Sequence, residues 1–186
     1  MGGYGTLSLI CHHPEIFAVA VALSPANFTL EMLDWKLVVP MVVTLLGRAA
    51  AETAGGQLFD DILETQDIIF TRERPLIPSL VRGSDGKVVS YDHKAAQVWS
   101  EFDINNLAEK YTSNLSRVTL LINCEVTDEF GLAGATRRLH DTFARLDIGH
   151  EFEIYSDSAA AELSPHIMGI AYKLIPALKF CLQHIS

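Results

Sequence analysis

The chain has 186 residues, enough for one moderate domain or part of a larger one at roughly 150 residues per domain. Lys and Arg total 14 against 23 Asp and Glu, and the net charge of −9 argues against a broad phosphate-binding surface for nucleic acid. Apolar residues at 49% and charged residues at 20% supply material for a packed core and exclude a disordered chain.

The opening Met1-Gly2-Gly3-Tyr4-Gly5 lacks the charged and apolar regions of a secretion signal, so the sequence as written carries no export address and reads as soluble and cytoplasmic, while an export signal on a longer parent leaves the localisation open. Leu7, Ile10 and Cys11 recur at helical spacing until His12-His13-Pro14, where proline ends a first helix of about ten residues. The apolar run 16–23, closed by Ser24-Pro25, predicts a strand buried on both faces of a parallel sheet. Residues 27–115 differ in texture. Helical stretches at 41–54 and 57–69 precede a turn-rich stretch through Pro75, Pro78 and Gly83-Ser84-Asp85-Gly86, an organisation that reads as an inserted, mainly helical cap. The longest nearly apolar stretch, 37–47, is broken by Pro40 and Thr44 and falls short of the roughly 20 residues needed to cross a bilayer, so no membrane span is expected.

Residues 118–124 predict a second buried strand, and 132–146 an amphipathic helix with Arg137, Arg138 and Arg145 on its polar side, closed by Gly149. Residues 151–155 alternate as an edge strand does, and 167–182 form a final helix that carries Pro176. Strands alternating with helices predict an α/β fold with a mostly parallel sheet, of which three strands are clear. Cys11, Cys124 and Cys181 show no C-x-x-C spacing and read as buried thiols, so neither a disulfide framework nor a metal site is expected.

The block Met1-Gly2-Gly3-Tyr4-Gly5-Thr6-Leu7, followed by His13-Pro14-Glu15-Ile16-Phe17 and Ala22-Leu23-Ser24-Pro25, resembles the esterase branch of the α/β-hydrolases that includes esterase D, feruloyl esterases and the mycolyltransferase antigens. In that family Gly-x-Ser-Met-Gly-Gly-Tyr-Gly spans the nucleophile elbow, a sharp strand-to-helix turn that exposes the serine hydroxyl. On this resemblance Gly2 matches the final glycine of Gly-x-Ser-x-Gly, and the sequence begins one residue after the serine. The backbone N–H of Met1 would then be one oxyanion donor. A second block, Leu121-Ile122-Asn123-Cys124-Glu125-Val126-Thr127-Asp128-Glu129-Phe130, continued by Thr136-Arg137-Arg138-Leu139-His140 and Gly149-His150-Glu151-Phe152, resembles the family's strand, acid-bearing loop and following helix. It implies Asp128 as the triad acid, although the family carries glycine where this chain has Glu125. The triad histidine comes last in the family's order and lies between the last strand and the last helix, which implies His166.

The resemblance implies residues 1–186 as the carboxyl-terminal portion of an α/β-hydrolase domain with a cap at 27–115, and hence a fragment or a misassigned start. The implied activity is serine ester hydrolysis without cofactor, on a small-molecule or carbohydrate-linked ester, and the chain alone is expected to be inactive for want of its serine. Trp35, Phe59, Phe70, Trp99 and Phe102 would shape an acyl or aryl pocket or fill the cap's core.

Other motifs carry less. Gly3-x-Gly5 follows no strand and does not make a dinucleotide loop, His12 and His13 suit the negative end of a helix dipole, and His93, His140, His150 and His184 read as structural or solvated. Asn27-Phe28-Thr29 and Asn114-Leu115-Ser116 match a glycosylation triplet by chance. The alternative reading is a non-catalytic α/β module that pairs with a partner, or with itself, through the bare edge of the 16–23 strand.

Overall fold

The computed structural model describes residues 2–27, 81–82, 84, 88–90, 97, 100–128, 130–156 and 165–185. They belong to two units, Met1–Asn27 with Ile104–Ser186, and Phe28–Asp103.

In the first unit, helix α1 (Gly2–His12) buries Tyr4, Leu7, Ile10 and Cys11 along one face. It stops where Pro14 forbids continuation, and Asn114 Nδ2 donates to the Cys11 carbonyl at 2.7 Å, satisfying one of the oxygens a helix end leaves open. Strand β1 (Val19–Leu23) starts three residues later than the apolar run suggests. Ile16 closes a turn through its N–H to the His13 carbonyl and is 66% exposed. The expectation of burial on both faces is also corrected: Ala20 and Ala22 are buried, whereas Val19, Val21 and Leu23 are half-buried.

In the second unit, β2 (Val81–Arg82) and β3 (Val88–Ser90) form an antiparallel pair that the turn-rich reading did not anticipate. The helical stretches at 41–54 and 57–69, with Trp35, Phe59, Phe70, His93 and Trp99, lie outside the described residues.

Back in the first unit, α2 (Ile104–Lys110) and α3 (Thr112–Leu115) fall in the stretch whose sequence texture reads as cap. Ile104, Leu107, Ala108 and Leu115 nevertheless enter the main core with Leu7, Ile10, Leu120, Ile122, Leu139 and Phe143. The compact unit therefore resumes at Ile104, not after residue 115. Next come β4 (Thr119–Glu125), α4 (Leu132–Arg145), β5 (Glu151–Tyr155) and α5 (Pro165–His184). The sheet order is β1-β4-β5, parallel throughout, with Val21 opposite Leu121 and Glu125 opposite Tyr155. This is an α/β fold. Because side chains alternate along a strand, Leu120 and Ile122 meet α1 and α4, while Glu125 meets α5 on the opposite face.

Helix α4 ends differently from the sequence expectation. Asp147, not Gly149, takes the left-handed conformation (φ 55°), and the Ile148 N–H reaches back to the Phe143 carbonyl at 2.9 Å while the Asp147 N–H reaches Ala144. These two bonds make a Schellman cap with aspartate at the position glycine usually fills, and buried Ile148 anchors it. Helix α5 begins on Pro165, whose missing N–H is harmless at a first helical position, and runs through Pro176, which deprives the Tyr172 carbonyl of its usual donor. Among the described residues, no helix is long and apolar enough to cross a membrane.

Candidate active site

The carboxyl ends of β1 and β4 carry several buried polar residues, among them Ser24, Asn123, Glu125 and Asp128. In an open parallel sheet, ligands approach this end, where loops leave the strands and helices begin. Two glycines permit close approach on opposite faces. A Cβ at Gly3 would overlap the Leu23 carbonyl oxygen and the Pro25 backbone, so glycine alone lets α1 start against the end of β1, whereas Gly2 and Gly5 face open space. At Gly169 of α5, an added Cβ would sit 2.8 Å from the Tyr155 hydroxyl and 3.0 Å from the Glu125 Cβ. Between these approaches, Ser24 leaves β1 at φ 45°, buried, with its N–H on the Asn123 carbonyl.

Asp128 follows β4 by three residues, on a loop tied by its own N–H to the Glu125 carbonyl and by the Gly131 N–H to the Asp128 carbonyl. Its side chain is fully buried. Oδ1 accepts the Phe130 N–H at 3.0 Å, and the Cys124 thiol lies 3.7 Å from Oδ2. Oδ2 also accepts from His166 Nδ1 at 2.7 Å. His166 is the second residue of α5, with its side chain 19% exposed and its ring edge-on to Phe130 at 4.7 Å. The two residues implied by the resemblance are thus brought into direct contact across 38 positions of sequence. The carboxylate favours the tautomer in which Nδ1 carries the proton. Met1, the third implied site residue, lies outside the described residues.

Glu125, where the resemblance alone has glycine, is 1% exposed beneath α5. Its Oε2 accepts both the Thr127 N–H and the Thr127 hydroxyl, the latter at 2.6 Å, while Oε1 is buried without a partner among the described residues. An unsatisfied buried acceptor costs roughly 1–3 kcal/mol, so these turn bonds are made against an opposing penalty. Lys173, two helical turns along α5 from His166, donates to both oxygens of Glu153 at 2.7 Å and lies 4.4 Å over the Tyr155 ring. Burial, then the neighbouring Cys124, Glu125, Asp128 and Glu153, pushes the Tyr155 phenol above its ordinary range and keeps it a hydrogen-bond donor.

Sequence reasoning missed Glu125's bonding, Cys124, Phe130 and Gly169. Only Gly169 left a readable signal, a glycine one turn after a candidate histidine on a helix that must lie against a sheet.

The other singled-out residues take structural places. Asn27 is fully buried and donates from Nδ2 to the Ala135 carbonyl at 2.8 Å, so Asn27 and Asn114, the asparagines of the two chance triplets, are internal tethers. His12 Nδ1 meets the Ser8 carbonyl at 2.8 Å inside α1, and His13 pairs with exposed Glu15 at 3.5 Å. His140 and His150 hydrogen-bond to each other at 2.8 Å, far from Asp128 along their elements, and His140 stacks on Phe152. Burial pushes the Cys11 and Cys124 thiols up to about 12, and for Cys124 the Asp128 carboxylate adds to it. Cys181 is half-exposed, not buried as expected. Among the described residues, no group of three or more His, Cys, Asp or Glu is placed to hold a metal ion. No protein-family model matches the chain, and no curated protein matches it.

Proposed function

We propose that Asp128 and His166 are the acid and base of a serine ester hydrolase of the α/β-hydrolase kind, the resemblance putting its nucleophile directly before Met1. The observation that carries this reading is the 2.7 Å bond from His166 Nδ1 to a fully buried carboxylate whose other oxygen is already held by a backbone N–H. A surface ion pair needs no such arrangement, whereas a general base does: its imidazole must keep one tautomer and one orientation. In the proposed reaction His166 Nε2 takes the serine hydroxyl proton as the oxygen attacks the acyl carbonyl, and Asp128 stabilises the imidazolium. The proton passes to the leaving alcohol, and water, deprotonated by the same nitrogen, releases the acid and regenerates the serine. The backbone N–H of Met1 stands as one oxyanion donor, on the resemblance alone. The substrate class is a small-molecule or carbohydrate-linked ester, and the segment 27–115 is proposed as the cap over it.

The test is hydrolysis of p-nitrophenyl acetate by the protein that joins a Gly-x-Ser elbow to this chain, compared with its Asp128→Asn and His166→Ala variants. Loss of the tautomer-fixing carboxylate lowers kcat by roughly 10⁴-fold in such triads. Variants as active as the parent would refute the assignment.

A second reading has its own observation. No described residue pairs the outer edge of β1, and a groove of about 330 Å³ runs along it, lined by Leu9, Val19, Val21, Leu174 and Leu178. A non-catalytic module that pairs this edge with another strand would use that groove. Light scattering after gel filtration separates the readings: a monomer at all concentrations counts against edge pairing between copies.

A further inference from the structure

We propose that Glu125 is a positioning residue for the Asp128–His166 pair, holding from below the turn that aims the acid. The inference rests on the catalytic reading of that pair and extends it to a residue the resemblance would have as glycine. Glu125 is the last residue of β4, and Asp128 lies three residues on, so the intervening turn decides where the carboxylate points. A glycine there would leave that turn to backbone bonds alone. Here one carboxylate oxygen of Glu125 gathers both the N–H and the hydroxyl of Thr127, and the Glu125 carbonyl accepts the Asp128 N–H at 3.2 Å. Three bonds from one residue thus fix the two positions that precede and include the acid. Glu125 also lies against the helix that carries the other half of the pair. Its Cβ and Cγ form the surface on which Gly169 of α5 rests, one helical turn from His166, so the same side chain sets the turn carrying Asp128 and the height of the helix carrying His166. Its other oxygen, buried without a partner among the described residues, is what a residue retained for fold stability alone does not need.

The test reads the His166 imidazole by long-range ¹H–¹⁵N NMR on the full chain, with His166→Gln as the assignment control. The unsubstituted chain is expected to show a low-field Nδ1 proton in slow exchange. Glu125→Gln retains an acceptor for Thr127 and is expected to keep that proton. Glu125→Ala is expected to speed its exchange about tenfold, the equivalent of one lost hydrogen bond, while the chain still melts cooperatively. Should Glu125→Ala fail to fold, Thr127→Val removes the hydroxyl bond alone and is expected to speed exchange in the same direction. A folded Glu125→Ala, or Thr127→Val in its place, with unchanged exchange overturns the role of Glu125 and leaves the pair standing. Absence of the Nδ1 proton from the unsubstituted chain overturns the pair and the inference together.

Discussion

Replacing Gly169 by alanine tests how the helix carrying His166 is seated. The new Cβ would lie 2.8 Å from the Tyr155 hydroxyl and 3.0 and 3.3 Å from the Glu125 Cβ and Cγ. Ordinary contact between such atoms is about 3.5–4.0 Å, so the start of α5 must retreat by roughly 0.5–1 Å. Overpacking of this kind costs roughly 1–3 kcal/mol, and the better helix propensity of alanine returns roughly 0.8–1 kcal/mol. The net loss of up to about 2 kcal/mol lowers Tm by at most about 8 °C for a chain of this size. The geometric effect is larger than the energetic one. The His166 bond starts at 2.7 Å, and a retreat of that size carries it to or beyond the roughly 3.2 Å limit of a good hydrogen bond. Calorimetry and the His166 Nδ1 resonance measured together decide the matter. A Gly169→Ala chain with raised Tm and an unchanged Nδ1 proton would show that the close approach does not seat the histidine.

Three further outcomes are expected. Iodoacetamide at about pH 8 should modify Cys181 alone in the native chain, because Cys11 and Cys124 are buried with thiols pushed up to about 12, and mass spectrometry should find all three labelled only after unfolding. Burial, with the nearby His140, lowers the pKa of His150 below its ordinary 6.5, against the opposing bond to the Ile148 carbonyl. The unfolded chain then binds a proton below pH 6.5 that the folded chain refuses, so stability present above 6.5 is lost as pH falls toward the folded value; Tm should drop on acidification, and less so in His150→Gln. Asp147→Gly should raise stability by about 1 kcal/mol in urea denaturation, since Asp147 holds a left-handed conformation (φ 55°) that glycine adopts without penalty.

The legible parts of this fold were those written in local chemistry. Pro14 ends α1, the alternation at residues 151–155 marks an edge strand, and the apolar run before Asn123 marks β4, because periodicity and proline act over a few residues. The misread parts depend on contacts distant in sequence. Asp147 replaces Gly149 as the helix cap because Ile148 finds a buried place, and residues 104–115 join the main core because α1 needs a covering helix, facts invisible in either segment alone. Strand β1 is fully buried on one face only, since Val19, Val21 and Leu23 stay half-buried in a groove that α5 lines but does not close. At the site, order along the chain and likeness to a family singled out Asp128 and His166, but nothing local shows that they touch. Their contact is made by α5 lying over β4, and that packing requires Gly169 and accommodates Glu125. Glu125 itself argued against a family-like turn by residue type, yet its carboxylate supplies to Thr127 the bonds that order the loop.

The central claim, that this chain carries the acid and base of a serine hydrolase, is tested most directly by reading the coding sequence immediately upstream of the Met1 codon. The account predicts an open frame that encodes Gly-x-Ser directly before Met1. A stop codon in that frame, with no serine supplied ahead of Met1, would contradict it and leave the Asp128–His166 pair as part of a binding module.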